Sequence, residues 1–370
     1  MPNAIGVINL AINQPLLHEL TYSRSTAAVP FGGRYRLIDF VLSNMVNCGV
    51  KKVAVFTNNN SRSLMDHLGS GKEWGLDRKQ GGLFILPPST IPNGTFGGDL
   101  QQFAANLDYF LRSKEKYVII SSSHMVCNID FSDVMRSHVR SGADLTLIYK
   151  ELNSQTEDLS DSITLDVGLN GRVRAMRDSH IEQGSNKVYM RMMVISKELL
   201  VDLVKRSVSQ NYYDLLRHVI MRNLDRWHVN AYEYKGYLGI INSITNYYRN
   251  SMNLLKPENW HSLFFCPSVI YTKVKDEAPA IYSEHARVTN SLIANGCIVE
   301  GTVENSILFR GVKVHRGAII RNSIIMQKCE IEASAILENV ILDKEVHVSV
   351  GTWLEGEKLV PAVYSKKSVI

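Results

Sequence analysis

Apolar positions along this chain follow two different periods, and the change falls near residue 259. Before it, short near-continuous apolar runs alternate with stretches of helical spacing. Residues 5–10, 52–57, 117–121 and 145–149 are runs of the first kind, which suit strands covered on both faces. The methionine-rich run 190–193 reads as a further strand. Residues 38–48 carry Phe40, Leu42, Met45 and Val46 at helical offsets, with Gly49 as the stop. Ser61, three residues before Leu64, opens another helix. This alternation predicts a doubly wound α/β sheet whose ligand crevice lies at the carboxyl ends of its strands.

Beyond residue 259 four similar words recur, headed by Asn290, Asn305, Asn322 and Asn339, at spacings of 15, 17 and 17. Between them Ile298, Val303, Val312, Ile319, Ile331, Ile336 and Val346 return every few positions, punctuated by Gly296, Gly301, Gly311 and Gly317. Such a period predicts hexapeptide units wound into a left-handed parallel β-helix, three short strands per coil. The asparagines either stack as an internal ladder or supply turn conformations. The expected division is a first domain over 1–258 and a linker plus β-helix over 259–370.

At 370 residues there is enough chain for two cores. The net charge of +5 is spread along it, which favours phosphorylated ligands without the concentrated patch of a nucleic-acid binder. No stretch approaches the roughly 18–20 apolar residues of a membrane helix. Residues 1–10 have neither a basic leader nor a small-residue cleavage site, which points to a cytoplasmic protein. The five cysteines form no Cys-x-x-Cys pair and have no histidine at metal-ligand spacing, so free thiols are expected, and no metal site.

Residues 28–40, Ala-Val-Pro-Phe-Gly-Gly-Arg-Tyr-Arg-Leu-Ile-Asp-Phe, followed by Leu42-Ser43-Asn44, resemble the N-terminal signature of the ADP-glucose pyrophosphorylases, the glucose-1-phosphate adenylyltransferases. Trp74-Gly-Leu-Asp-Arg78, the run 81–88 and Asn253-Leu-Leu255 after Tyr247-Tyr248 are similar to later words of that family. Within it the chain looks most like the GlgD type, the non-catalytic companion of a catalytic subunit. The resemblance implies a nucleotidyltransferase domain with a Rossmann-like, mostly parallel sheet, followed by the β-helix. It also implies a role in glycogen synthesis, in which glucose-1-phosphate attacks the α-phosphorus of ATP with the help of magnesium.

Matched onto this chain, the machinery for that reaction is depleted. The family's Gly-rich phosphate loop falls on Ala11, Ile12 and Gln14, with Leu16 in place of its arginine. Without glycines the backbone N–H groups cannot easily turn inward to cradle phosphates. The two magnesium aspartates correspond to Ser123 and Ile240, which offer no hard anionic oxygen. Asp130, the one nearby carboxylate, fits a different family word. The sugar-phosphate word Glu-Lys-Pro reads Asp178-Ser179-His180, so Ser179 stands for the lysine, with Arg177 adjacent. Asn58 replaces the base-contacting glutamine, and Gly81-Gly82 remain as either a tight turn or a residual adenine contact.

Arg24, Arg34 and Arg36, with Lys313 and Arg321, form either a salt-bridged face or a site for an anionic effector. His67, His124 and His315 read as packing or surface residues, and a β-helix acyltransferase using His315 would lack any acyl-CoA motif. The resemblance therefore implies a regulatory subunit that binds no cofactor itself. Its partner would be a catalytic adenylyltransferase chain, which uses the magnesium, in a hetero-oligomer such as a tetramer. An active transferase with relocated ligands and a stand-alone metabolite-sensing homo-oligomer are the alternatives. Neither nucleic acid nor membrane is expected as a partner.

Overall fold

A computed structural model describes residues 3–11, 17–58, 60–88, 98–152, 162–178, 186–210 and 212–370. They form two compact units, each assembled from separated segments: 1–14, 40–238 and 266–271 in one, 15–39, 239–265 and 272–370 in the other. No helix among the described residues is long and apolar enough to cross a membrane.

The first unit is built on a mixed sheet. Its strands are β1 (Ala4–Asn9), β2 (Lys52–Phe56), β3 (Gly82–Leu86), β4 (Tyr117–Ser121), β5 (Leu145–Glu151), β6 (Ile163–Val167), β7 (Val173–Asp178), β8 (Lys187–Ser196) and β9 (Val229–Glu233). The order runs β7-β6-β8-β4-β1-β2-β3, and β5 joins β8 to β9. The apolar runs in the sequence become parallel neighbours, β4-β1-β2-β3, because β1, β2 and β4 are apolar on both faces. Helix α1 (Leu37–Asn47) covers the expected span and stops at Gly49, φ 90°. Helices α2 (Asp99–Ala105) and α3 (Phe131–Ser141) follow. Phe56 and Phe103 meet edge to face at 4.8 Å in the core between sheet and helices.

Strand β8 runs antiparallel to β4 and β5, and its register shifts between Tyr189 and Met193. Arg191 lies in that irregularity at φ 54°, a left-handed conformation costly for a residue with a Cβ. The chain is therefore bent where β8 borders the carboxyl end of β4.

The second unit contains three parallel sheets of five strands each, stacked coil upon coil as a β-helix. Both readings of the asparagines hold at once. Asn290, Asn305, Asn322 and Asn339 have φ between 44° and 52°. Asn290 Nδ2 donates to Asn305 Oδ1 at 2.9 Å, and Asn305 Nδ2 donates to Asn322 Oδ1 at 2.6 Å. A serine ladder runs beside it: Ser306 N donates to Ser291 Oγ at 3.1 Å, and Ser323 N to Ser306 Oγ at 3.0 Å. Asparagine suits the corner because its amide tolerates the left-handed backbone while pairing along the stack. Asn305→Ala should lose about 2–3 kcal/mol, combining the backbone cost with two amide hydrogen bonds. Asn305→Gly, which keeps the conformation, should lose about half as much, read from urea unfolding midpoints. A glycine variant as stable as the parent would show that the ladder contributes nothing.

The unit boundary differs from the single cut at 258 that the change of period suggests. Helices α4 (Ile244–Met252) and α5 (Pro257–Phe264), with residues 15–39, group with the β-helix. Polar contacts explain why. Tyr247 Oη donates to the Pro30 carbonyl at 2.8 Å, and Tyr248 Oη donates to the Asn322 carbonyl at 2.5 Å. Arg24 pairs with Asp343 in the fourth coil.

Candidate functional site

In the first unit a crevice opens at the carboxyl ends of β1 and β4, where the α/β pattern places it. Its cavity is small, about 60 Å³ and open to solvent, among Asn9, Asp99, Ser121, His124, Arg191 and Asp214. Its carboxylates are committed to the fold. Asp99 Oδ2 accepts from Asn9 Nδ2 at 2.9 Å, and its Oδ1 accepts from Leu215 N at 2.9 Å. Burial, with Asp214 beside it, raises Asp99 to about 7. Asp214 accepts from Arg217 N at 2.8 Å and caps the following turn. Burial lowers His124 to about 3, reinforced by Arg191, so its imidazole is neutral at physiological pH.

Ser123 is buried. Asp130 accepts from Ser132 N at 2.8 Å as the N-cap of α3, which explains its place in the sequence without metal binding. Asp178 holds Arg217 at 2.7 Å. Ile240 is buried on the strand Leu238–Ile240, its carbonyl accepting from Asn250 Nδ2 at 3.2 Å. Ile12, Gln14, Leu16 and Ser179 lie outside the described residues. With Asp99 and Asp214 already bonded to Asn9 and to backbone amides, the described part of the crevice does not suit a magnesium ion, which takes carboxylates, water and phosphate oxygens.

At the base end, Asn58 Oδ1 is shielded from solvent without a hydrogen-bond partner among the described residues. Gly81 and Gly82 have a structural reason to be glycine. Both have positive φ, and a Cβ would lie 2.6 Å from the Lys51 carbonyl oxygen or 2.7 Å from that of Leu76.

The second unit carries a basic basin that the sequence only half revealed. Residues Pro30–Phe31 and Tyr35–Arg36 form a hairpin with Gly32 and Gly33 at its tip, both at positive φ. A Cβ on Gly33 would meet Leu292 at 2.8 Å, so the retained word has a packing role. The hairpin holds Arg36 near Lys344 and Lys275. Burial lowers Lys344 to about 7, followed by the charges of Arg36 and Arg24, with Lys275 adding to the effect. Lys275 is itself lowered, by burial first and then by Arg310, Arg36 and Lys328. Arg36, Lys275 and Lys344 thus act on one another as like charges, with Asp343 opposing them at Lys344.

The five basic residues singled out in the sequence separate here. Arg24 is withdrawn from ligand duty, because its guanidinium pairs with Asp343 at 2.9 and 2.7 Å in full burial. Lys313 lies 3.3 Å from Glu330 and Arg321 lies 2.9 Å from Glu304, on two different sheets, so neither joins the basin. Arg34 lies over the Tyr35 ring at 5.3 Å, and Arg310 is lowered by burial first and then by Arg34. Arg36 remains at the centre. Lys275, Arg310, Lys328 and Lys344 were missed, since Lys275 precedes the first coil, the others sit on separate coils, and they share no sequence word.

Residues 16–158 match the nucleotidyl transferase family model, and residues 277–357 match the GlmU-like C-terminal hexapeptide model. The chain is 40% identical to the glycogen biosynthesis protein GlgD of Bacillus subtilis (strain 168) over 318 residues, 86% of this chain and 82% of that one. It is 42% identical to the GlgD of Geobacillus stearothermophilus, over 85% of this chain and 82% of that one. The chain belongs to the GlgD family. The glucose-1-phosphate adenylyltransferase of Geobacillus stearothermophilus is similar too, at 30% identity over 82% of this chain and 80% of its own length. The family is thus related to an adenylyltransferase.

Proposed function

We propose that this chain is a non-catalytic, regulatory subunit in glycogen biosynthesis. It assembles with an active glucose-1-phosphate adenylyltransferase chain and supports that partner's synthesis of ADP-glucose from ATP and glucose-1-phosphate. The partner supplies the magnesium. The observation that carries the reading is the state of the crevice: Asp99 and Asp214 are bonded to Asn9 and to backbone amides. Arg191 lines the crevice, but two anionic reactants also need a metal held by carboxylates, and Asp99 and Asp214 are already committed.

The basic basin gives the regulatory half its physical basis. An anionic metabolite bound among Arg36, Lys275, Arg310 and Lys344 would relieve the mutual repulsion of those cations, and so favour whichever conformation gathers them. In a complex that preference passes to the partner as a population shift. Co-expression with an active homologue, followed by sizing and activity measurement, tests the assignment. The two chains should co-elute and the mixed complex should turn over faster than the active chain alone, while this chain alone should be inactive with ATP, glucose-1-phosphate and magnesium. Turnover by the isolated chain at a rate comparable to the active homologue would favour relocated ligands instead. Tight effector binding with no co-elution would favour a stand-alone sensor.

A further inference from the structure

We propose that the outer face of the β-helix sheet containing Lys313–Val314, Glu330–Ile331 and His347–Val348 carries a site for a first-row divalent cation of the zinc type, built from His315, Glu330 and Glu332. The coil geometry assembles it. Lys313, Glu330 and His347 stand in register on successive coils. His315 N bonds the Ile331 carbonyl at 2.9 Å and Glu332 N bonds the Val348 carbonyl at 3.0 Å, which extends the ladder by one position. Val314, Ile331 and Val348 point into the core. The residues on either side of them therefore face outward as two adjacent columns.

His315 Nε2 is the centre of the group. It lies 3.0 Å from Glu330 Oε1 and 3.9 Å from Glu332 Oε2. Ligand atoms from the three residues all fall within 4.8 Å of one another. Zinc bound at about 2.0–2.1 Å by nitrogen and oxygen in a tetrahedron sets its donors about 3.3 Å apart, between those two distances. On the other side of the imidazole, Nδ1 lies 3.9 Å from Glu300 Oε2. That places a carboxylate where metal-bound histidines commonly find their orienting partner. His347 Nε2, 3.8 Å from Glu332 Oε1, is within reach as a fourth ligand.

The charges favour a cation. Three glutamates surround two histidines, and the Lys313 ammonium lies 3.3 Å from Glu330 Oε1 on a flexible stem about half exposed. Imidazole with carboxylate selects zinc and its neighbours over magnesium or calcium, which prefer all-oxygen ligation. The spacings of 15 and 17 residues match no common metal motif, which is why His315 looks isolated in the sequence. A bound ion would tie two successive coils together, and a third if His347 joined as the fourth ligand.

Calorimetric titration of the EDTA-stripped full chain with zinc tests the site. One equivalent should bind, and magnesium should not. His315→Ala and Glu332→Gln should each weaken binding about tenfold or more, and Glu300→Gln should weaken it less. Zinc should raise the melting temperature of the parent but not of His315→Ala. His315→Gln, which retains a polar side chain of similar reach, guards against a folding defect in the alanine variant. Absence of zinc uptake, or undiminished affinity in the Glu332→Gln/His315→Gln double variant, would overturn the assignment.

Discussion

Replacing Asp343 with asparagine should destabilise the second unit by about 3–5 kcal/mol, because it strands a buried guanidinium. Asp343 and Arg24 are 0% and 2% exposed and joined by two parallel hydrogen bonds of 2.9 and 2.7 Å. No water competes for Arg24 there, so removing the carboxylate charge leaves the cation without compensation in a poorly polarisable interior. The surroundings sharpen the penalty. Lys344 and Arg36 lie close enough to interact, and Asp343 is the anion that offsets them at Lys344. Asp343 also accepts from Lys344 N at 2.7 Å, a bond asparagine can keep and alanine cannot, so Asp343→Ala should be worse by about 1 kcal/mol. Removing both charges at once tests the cause. Arg24→Met with Asp343→Leu should recover most of the loss, since neither partner is left uncompensated. Urea unfolding of the full chain gives the comparison. An Asp343→Asn chain that unfolds at the parent midpoint would sink the argument.

Arg24 and Asp343 are separated by 319 residues. Nothing in the composition or spacing joins them, which is why Arg24 reads in the sequence as a candidate ligand and in the structure as half of a buried pair. The same limit hid Lys275, Arg310, Lys328 and Lys344, whose proximity depends on how the Arg36 hairpin and the coils come together. What was legible is local. The strands at residues 52–56 and 117–121 are encoded by contiguous apolar residues, and α1 by its own periodicity and Gly49. The β-helix was readable because each coil repeats the chemistry of the last. Even there, one dimension left the role of the asparagines open, since a positive φ and a side-chain ladder demand the same residue at the same spacing. Ser123 was legible as the residue standing where the family resemblance puts a magnesium aspartate, because that position is read from one local word. That Asp99 and Asp214 are consumed by the fold could only be seen once Leu215 and Asn9 were beside them.

Anion binding at the basin should weaken steeply above neutral pH, by up to about tenfold per pH unit from pH 7.5 to 9.5. Lys344, ordinarily protonated to 10.5, is brought down to about 7 by burial and by Arg36 and Arg24. An anion bound beside it favours the ammonium, so binding above pH 7 must also take up a proton, and each unit of pH makes that proton tenfold scarcer. Sulfate is the suitable probe, because its own charge does not change over the range. Lys344→Met should bind weakly with a nearly flat pH profile, whereas Lys344→Arg should bind with a flat profile and greater strength, its guanidinium staying charged. The sign for stability runs the other way. Between pH 7 and 10.5 the unfolded chain holds the Lys344 proton and the folded chain does not, so without anion the parent should become more stable as pH rises. Lys344→Met should lose that gain, and saturating sulfate should reduce it in the parent. A sulfate affinity for the parent that does not change between pH 7.5 and 9.5 would remove Lys344 from the basin's chemistry.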